Sequence, residues 1–181
     1  MHGTENPSAW VQRWTHLIHP GSRVLDVACG AGRHMRWLAE QGHHVTGVDR
    51  NPEALALVGD CGDTVLADIE NGPWPFAGQT FDAVIVTHYL WRPLWPDIIR
   101  SVAEGGVLIY ETFAAGNESV GKPSRPDFLL QTGELLHVTA GLRTVAYEDG
   151  FETPPDRFVQ RIVSVRQTAE VLPKRFDLRP V

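Results

Sequence analysis

Three aspartates, Asp26, Asp49 and Asp68, close three successive short apolar runs, and the first run leads into the small-residue turn Ala28-Cys29-Gly30-Ala31-Gly32. Small residues let a backbone approach a ligand closely, and the helix that must follow such a turn offers free N–H groups to it. Asp49 lies 23 residues after Asp26, where an acid ending a second strand can accept hydrogen bonds from both hydroxyls of a ribose. Asp68, ending a third, is positioned to accept from the amino group of an adenine. Each acid alone could cap a helix or face solvent. Together with the turn they converge on one crevice. A nicotinamide dinucleotide would need Gly-x-Gly-x-x-Gly, and the place of the third glycine holds Met35.

The elements that must position these groups follow from the apolar pattern. Arg23 to Ala28 reads as a buried strand, Arg33 to Gln41 as a helix ended by Gly42, and His44 to Asp49 as a second strand. A helix starts at Pro52, proline at its first turn, and runs to about Val58, and Thr64 to Ala67 is a third strand. Phe81 to Val86 is apolar but for Asp82 and belongs at the centre of a sheet. Gly106 to Tyr110 is a fifth strand, Glu111 to Phe128 a long loop, and about Gly133 to Thr139 a short helix. Leu142 to Tyr147 and Phe158 to Arg166 read as an antiparallel pair at the sheet edge around Asp149-Gly150, and Pro7 to His19 as an N-terminal helix. The pattern predicts an α/β fold in a single domain over residues 1–181.

Composition sets the outer bounds. The 181 residues are 43% hydrophobic and 21% charged, with a net charge of −6, which argues against a general nucleic-acid binder. Cys29 and Cys61 form no disulfide framework and no metal spacing, and His16-x-x-His19 lacks further ligands, so no metal is expected. No signal peptide or membrane span is read, and a cytoplasmic protein is the expectation.

The stretch VLDVACGAGRH, followed in order by VTGVDRNP, LADIENGPWPF, FDAVIVTHYLW and GGVLIYETF, resembles the class I S-adenosyl-L-methionine (SAM)-dependent methyltransferases from about Trp10 to Gln167. The resemblance implies a Rossmann-like, doubly wound, seven-stranded, mostly parallel sheet with an antiparallel last strand and helices on both faces. It implies SAM as cofactor. Carried over residue by residue, the stretch from Asp26 through Ala28, Cys29 and Gly30 to Gly32, with Arg33 beside it, would hold the methionine part. Asp49 would take the ribose, Arg50 would flank the adenine, and Asp68 with Ile69 would take its amino edge. Thr87 and His88 would lie beside the transferable methyl. Ala28 stands where the family usually has its first glycine.

The segments after the fourth and fifth strands bear on the acceptor. Thr87-His88-Tyr89-Leu90 is unlike the Asn/Asp-Pro-Pro-aromatic motif of exocyclic-amine enzymes, neither cysteine suits a cytosine-C5 enzyme, and Glu111-Thr112 departs from the metal-dependent catechol type. The first half is similar to small tellurite-resistance and thiopurine-type methyltransferases. His88 and Tyr89 are the candidate catalytic residues; His88 reads either as a general base or as a hydrogen-bonding wall. Trp10 and Trp14 on a helix within residues 1–20 that could cover the cofactor, Trp91 and Arg92, and Glu111, Lys122 and Arg125 on the 111–128 loop are candidates for a substrate wall or lid. The pairs Trp10/Trp14 and Trp91/Trp95, each four apart, fit packing better than a substrate cage, and Lys122 and Arg125 read as solvated charges unless the substrate is anionic. The reading is methyl transfer to a small-molecule acceptor without a metal. Alternatives are an RNA or protein methyltransferase acting with a partner, or a non-catalytic SAM-binding module.

Overall fold

A computed structural model describes residues 6–169 and 175–178. Residues 1–5 of the expected N-terminal segment lie outside the described residues. Seven strands form one sheet: β1 Arg23–Val27, β2 His44–Asp49, β3 Asp63–Leu66, β4 Phe81–Thr87, β5 Val102–Phe113, β6 Arg143–Glu152 and β7 Arg157–Val165, in the order β3-β2-β1-β4-β5-β7-β6. Strands β1 to β5 pair in parallel, while β7 runs antiparallel between β5 and β6. The expected doubly wound sheet is therefore present, including its inverted last strand.

Among the described residues, five α-helices flank it: α1 Ala9–Trp14, α2 Arg33–Glu40, α3 Pro52–Leu55, α4 Trp95–Arg100 and α5 Glu134–Val138. Alternation along the strands divides the core. Val24, Ala83, Ile85, Val107 and Ile109 face one layer with Trp10, Val11, Trp14, Met35, Leu38 and Leu55. Leu25, Val27, Val84, Val86, Leu108 and Tyr110 face the other with Ile98 and Leu135. The α2 helix lies close on β2 because position 47 is glycine: a Cβ there would collide with Met35 Sδ and stand 2.7 Å from Cys29 Sγ.

Several boundaries differ from the sequence reading, among them the end of α3, at Leu55 instead of about Val58. The N-terminal helix is two turns shorter in its regular part, ending at Trp14 and continuing as a 3₁₀ turn over Thr15–Leu17. The fifth strand extends at both ends, so Glu111 is a strand residue, buried and paired with Arg161, and the loop begins only after Phe113. The β6–β7 turn falls at residues 153–156, and β6 runs straight through Asp149-Gly150. There Asp149 accepts from the Gln160 side chain at 3.1 Å and from the Tyr147 hydroxyl at 3.1 Å, a satisfaction that replaces a turn.

The order of strands reverses between β1 and β4, since β2 and β3 lie on one side and β5 on the other. Ligands of doubly wound sheets bind beyond the carboxyl ends of the strands at such a reversal. The small-residue turn after β1 and the segment after Thr87 both emerge there.

Candidate functional site

Among the described residues, two that are not glycine hold left-handed backbone, Ala28 (φ 54°) and His88 (φ 53°), at the carboxyl ends of the neighbouring strands β1 and β4. An L-residue pays about 1–2 kcal/mol in this region, and such residues collect at binding sites. Around Ala28 the turn curls over β2. Cys29 N–H donates to the Val48 carbonyl (3.0 Å) and Gly30 N–H to Asp49 Oδ2 (2.8 Å). Asp49 Oδ1 also accepts from Asn51 N–H at 2.9 Å, so one carboxylate braces both the turn and the start of α3.

The crevice has two chambers that share Ala28 as a wall. The larger, about 450 Å³, is lined by Cys29, Gly30, Arg33, His34, Thr87, His88, Phe113, Lys122 and Pro123. The smaller, about 170 Å³, is lined by Asp49, Arg50, Asp68, Ile69, Glu70 and Tyr89. The kink at His88 divides consecutive residues between them: His88 faces the larger chamber and Tyr89 the smaller. Such a crevice fits an elongated ligand with chemically different ends.

Electrostatics at the larger chamber centre on a buried pair. Burial pushes the Asp26 carboxyl up to about 7, with Arg33 opposing and Asp49 adding to the shift. Its Oδ2 has no hydrogen-bond partner among the described residues, a costly state for a buried oxygen. His34 is held neutral, its imidazole pushed down to about 3 by burial and by Arg33. His34 Nε2 accepts from Ser8 N–H (3.1 Å), which puts the ring proton on Nδ1, 3.9 Å from Asp26 Oδ2. The Ser8 hydroxyl caps α1 and donates to Glu111 Oε1 (2.9 Å), while Glu111 Oε2 pairs with Arg161 at 3.2 Å. Helix α1 is thereby pinned to α2 and β5 beside the crevice.

On the opposite wall, His88 stacks on Phe113 at 5.0 Å, and its ring nitrogens face Arg33 at 3.3 Å and Arg157 at 3.1 Å. Arg157 is compensated by Glu152 at 2.6 Å. The rim comes from the loop after β5. Buried Asn117 accepts from Phe158 N–H (3.2 Å) and donates to the Pro123 carbonyl (3.0 Å), holding Lys122-Pro123 against the chamber.

The structure thus brings together Ala28, Cys29, Gly30, Arg33, Asp49, Arg50, Asp68, Ile69, Thr87, His88, Tyr89 and Lys122 around the crevice. Other candidates stand elsewhere. Trp10 and Trp14 are fully buried, edge to face, in the core layer below the sheet, with Arg161 and Arg13 over their rings. Arg92 clamps Glu134 with two bonds of 2.6 and 2.9 Å and donates to the Asp127 and Leu129 carbonyls, tying the loop to α5. Trp91 packs against the core, and Arg125 pairs with Asp127 in solvent. Sequence reasoning did not select His34, Phe113, Pro123 or Arg157; His34 follows the glycine turn and could have been found by position, whereas Arg157 arrives only through the β5–β7 pairing. Among the described residues no group of three His, Cys, Asp or Glu side chains is placed to hold a metal ion, and no helix is long and apolar enough to cross a membrane.

Comparison with known proteins agrees with this arrangement. Residues 24–106, from β1 into β5, match the model of a methyltransferase domain. The malonyl-[acyl-carrier protein] O-methyltransferase of Serratia marcescens is 32% identical over 108 residues, covering 55% of this chain and 41% of that one. The bovine 18S rRNA (guanine-N(7))-methyltransferase is 40% identical over 65 residues, covering 34% and 23%. The chain spans less than half the length of these curated relatives. TehB from Haemophilus influenzae superposes with a TM-score of 0.72 at 21% identity, over 92% of this chain and 64% of that one, and so shares the fold. Residues 24–106 are thus similar to a methyltransferase domain, and the chain has the Rossmann-like fold of the class I SAM-dependent methyltransferases.

Proposed function

We propose that this protein transfers the methyl group of SAM to a small-molecule acceptor by in-line displacement, without a metal ion. The observation that carries the reading is the two-chambered crevice at the β1/β4 reversal. Asp49, Arg50, Asp68 and Ile69 would hold the nucleoside in the smaller chamber. Asp26, the turn from Ala28 to Gly32, Arg33 and Thr87 would hold the methionine end in the larger one. The unpartnered Asp26 oxygen suits a cationic ligand group nearby. When bound, SAM supplies an electrophilic methyl group on a sulfonium.

The acceptor would sit in the larger chamber against His88, Phe113 and Lys122-Pro123, with the loop after Phe113 as its lid and α1 closing the other side through Ser8. Positioning can supply much of the rate of a displacement whose nucleophile needs no activation. His88 serves as a wall in this reading: taking up a proton would place an imidazolium between the Arg33 and Arg157 guanidiniums. Metal independence is supported by Thr87 at the end of β4 and by Glu111, which is committed to Ser8 and Arg161. The free thiols Cys29 and Cys61 suit a reducing compartment, and we place the protein in the cytoplasm.

The likeness of one segment to rRNA methyltransferases favours a second reading, transfer to RNA with a partner protein. Incubation with methyl-tritiated SAM and separated extract fractions distinguishes them. Label in the small-molecule fraction is the expected result. Label in RNA alone, falling steeply with salt, would replace the first reading with the second. Cofactor binding with no transfer to any fraction would leave a binding module.

A further inference from the structure

His88 lines the larger chamber with a guanidinium at each of its ring nitrogens. Arg33 Nη2 is 3.3 Å from Nδ1, and Arg157 Nη1 is 3.1 Å from Nε2. A guanidinium only donates, whereas a neutral imidazole has one nitrogen that accepts and one that carries N–H. One of the two contacts therefore sets a donor against a donor. Arg157 makes the shorter approach, and Glu152 anchors it through Nε at 2.9 Å and Nη2 at 2.6 Å. This favours Nε2 as the accepting nitrogen and leaves the ring proton on Nδ1, beside Arg33.

The ring has little freedom to turn away. Phe113 stacks on it at 5.0 Å, the His88 backbone N–H donates to the Glu111 carbonyl at 2.9 Å, and a φ of 53° is held against the preference of an L-residue. Arg33 Nη2 also reaches Thr87 Oγ1 at 3.5 Å, so N–H groups of Arg33 and His88 converge on one corner of the chamber. Among the described residues lining this chamber, Arg33 and Lys122 are cations and none is a carboxylate. The smaller chamber is the reverse, with Asp49, Asp68 and Glu70 in its wall. Two converging N–H donors, one of them charged, suit an oxyanion.

We infer that Arg157 is a positioning residue that fixes His88 as its Nδ1–H tautomer, so that His88 and Arg33 together hold a carboxylate of a ligand in the larger chamber. For the source of that carboxylate, the methionine end of the cofactor or the acceptor, the inference rests on the methyl-transfer reading above. It makes His88 a donor and takes it out of general-base chemistry, because Arg157 already occupies the lone pair of Nε2.

The test uses the full chain with isotopically labelled histidine, read by long-range proton–nitrogen NMR, the His88 signals being those lost in His88→Gln. Wild type should show a protonated Nδ1 and a bare Nε2. Arg157→Met should move the proton toward Nε2, and Arg157→Lys, which keeps a donor, should restore the wild-type pattern. Acetate should shift the Nδ1 signal of the wild type and bind about tenfold more weakly to Arg157→Met. S-adenosylhomocysteine (SAH) and its decarboxylated analogue then separate the two sources. Loss of the acetate response with SAH but not with the analogue assigns the site to the cofactor's carboxylate; a response that survives both assigns it to the acceptor's. A bare Nδ1 in the wild type, or an unchanged tautomer in Arg157→Met, would overturn the inference. An acetate response no larger than that to chloride would overturn it as well. Failure of SAH to bind would overturn the cofactor reading alone, because the tautomer and the acetate response are read without it.

Discussion

Asp26→Asn should make the protein more stable and a weaker binder of SAM. The carboxyl is fully buried at the end of β1, and burial raises it from 3.8 to about 7. A folded state that holds this proton more tightly than the unfolded chain gains nothing below pH 4, where both forms are protonated. Relative to that level it loses stability as pH rises from about 4 to 7. The full separation corresponds to about 4 kcal/mol, an upper figure for the cost of the bare carboxylate above pH 7. His34 works in the opposite direction. Pushed down to about 3, it costs stability as pH falls below its ordinary 6.5, so in the wild type the two slopes partly cancel. The difference between variant and wild type isolates Asp26. Urea unfolding from pH 5 to 8 should show the advantage of Asp26→Asn growing by roughly 1.4 kcal/mol per unit up to pH 7 and then levelling. Affinity for SAM at pH 8 should fall about tenfold or more, because the neutral amide cannot match a cationic ligand group. A pH-independent difference, or a variant less stable at pH 8, would refute the burial argument.

Other substitutions test separate parts of the account. Asp49→Ala strips the acceptor from Gly30 and Asn51 N–H, and should weaken SAM binding by about two orders of magnitude in calorimetry; unchanged affinity would remove Asp49 from the site. Gly47→Ala forces Met35 and Cys29 away from β2 and should cost about 1–3 kcal/mol in a denaturant melt. Asn117→Ala releases the Pro123 carbonyl and Phe158 N–H, so turnover should drop severalfold while SAH affinity stays within about twofold; equal losses in both would deny the loop its role as a lid.

The first half of the molecule was legible because its signals are local. The glycine turn, the acid ending β2 and the one two residues after β3, and Pro52 at the first turn of α3 each declare themselves within a few residues. What escaped depends on partners distant in sequence. Glu111 and Thr112 read as loop by polarity, yet they are buried because Arg161 and Gln160 of β7 lie opposite them. Asp149-Gly150 reads as a turn, but the Gln160 amide satisfies Asp149 inside a continuous strand. The four-residue spacing of Trp10 and Trp14 favoured packing over a substrate wall, and the packing of α1 under the sheet places both in the core. Arg157 meets His88 across 69 residues of chain, a contact that no spacing rule could announce.

The central claim is that this crevice takes an adenosyl sulfonium and not a dinucleotide. Calorimetric titration of the full chain with SAM, SAH and NADH tests it most directly. The account predicts micromolar binding of SAM and SAH at one site per chain and no heat from NADH. Binding of NADH, or of none of the three, would contradict it.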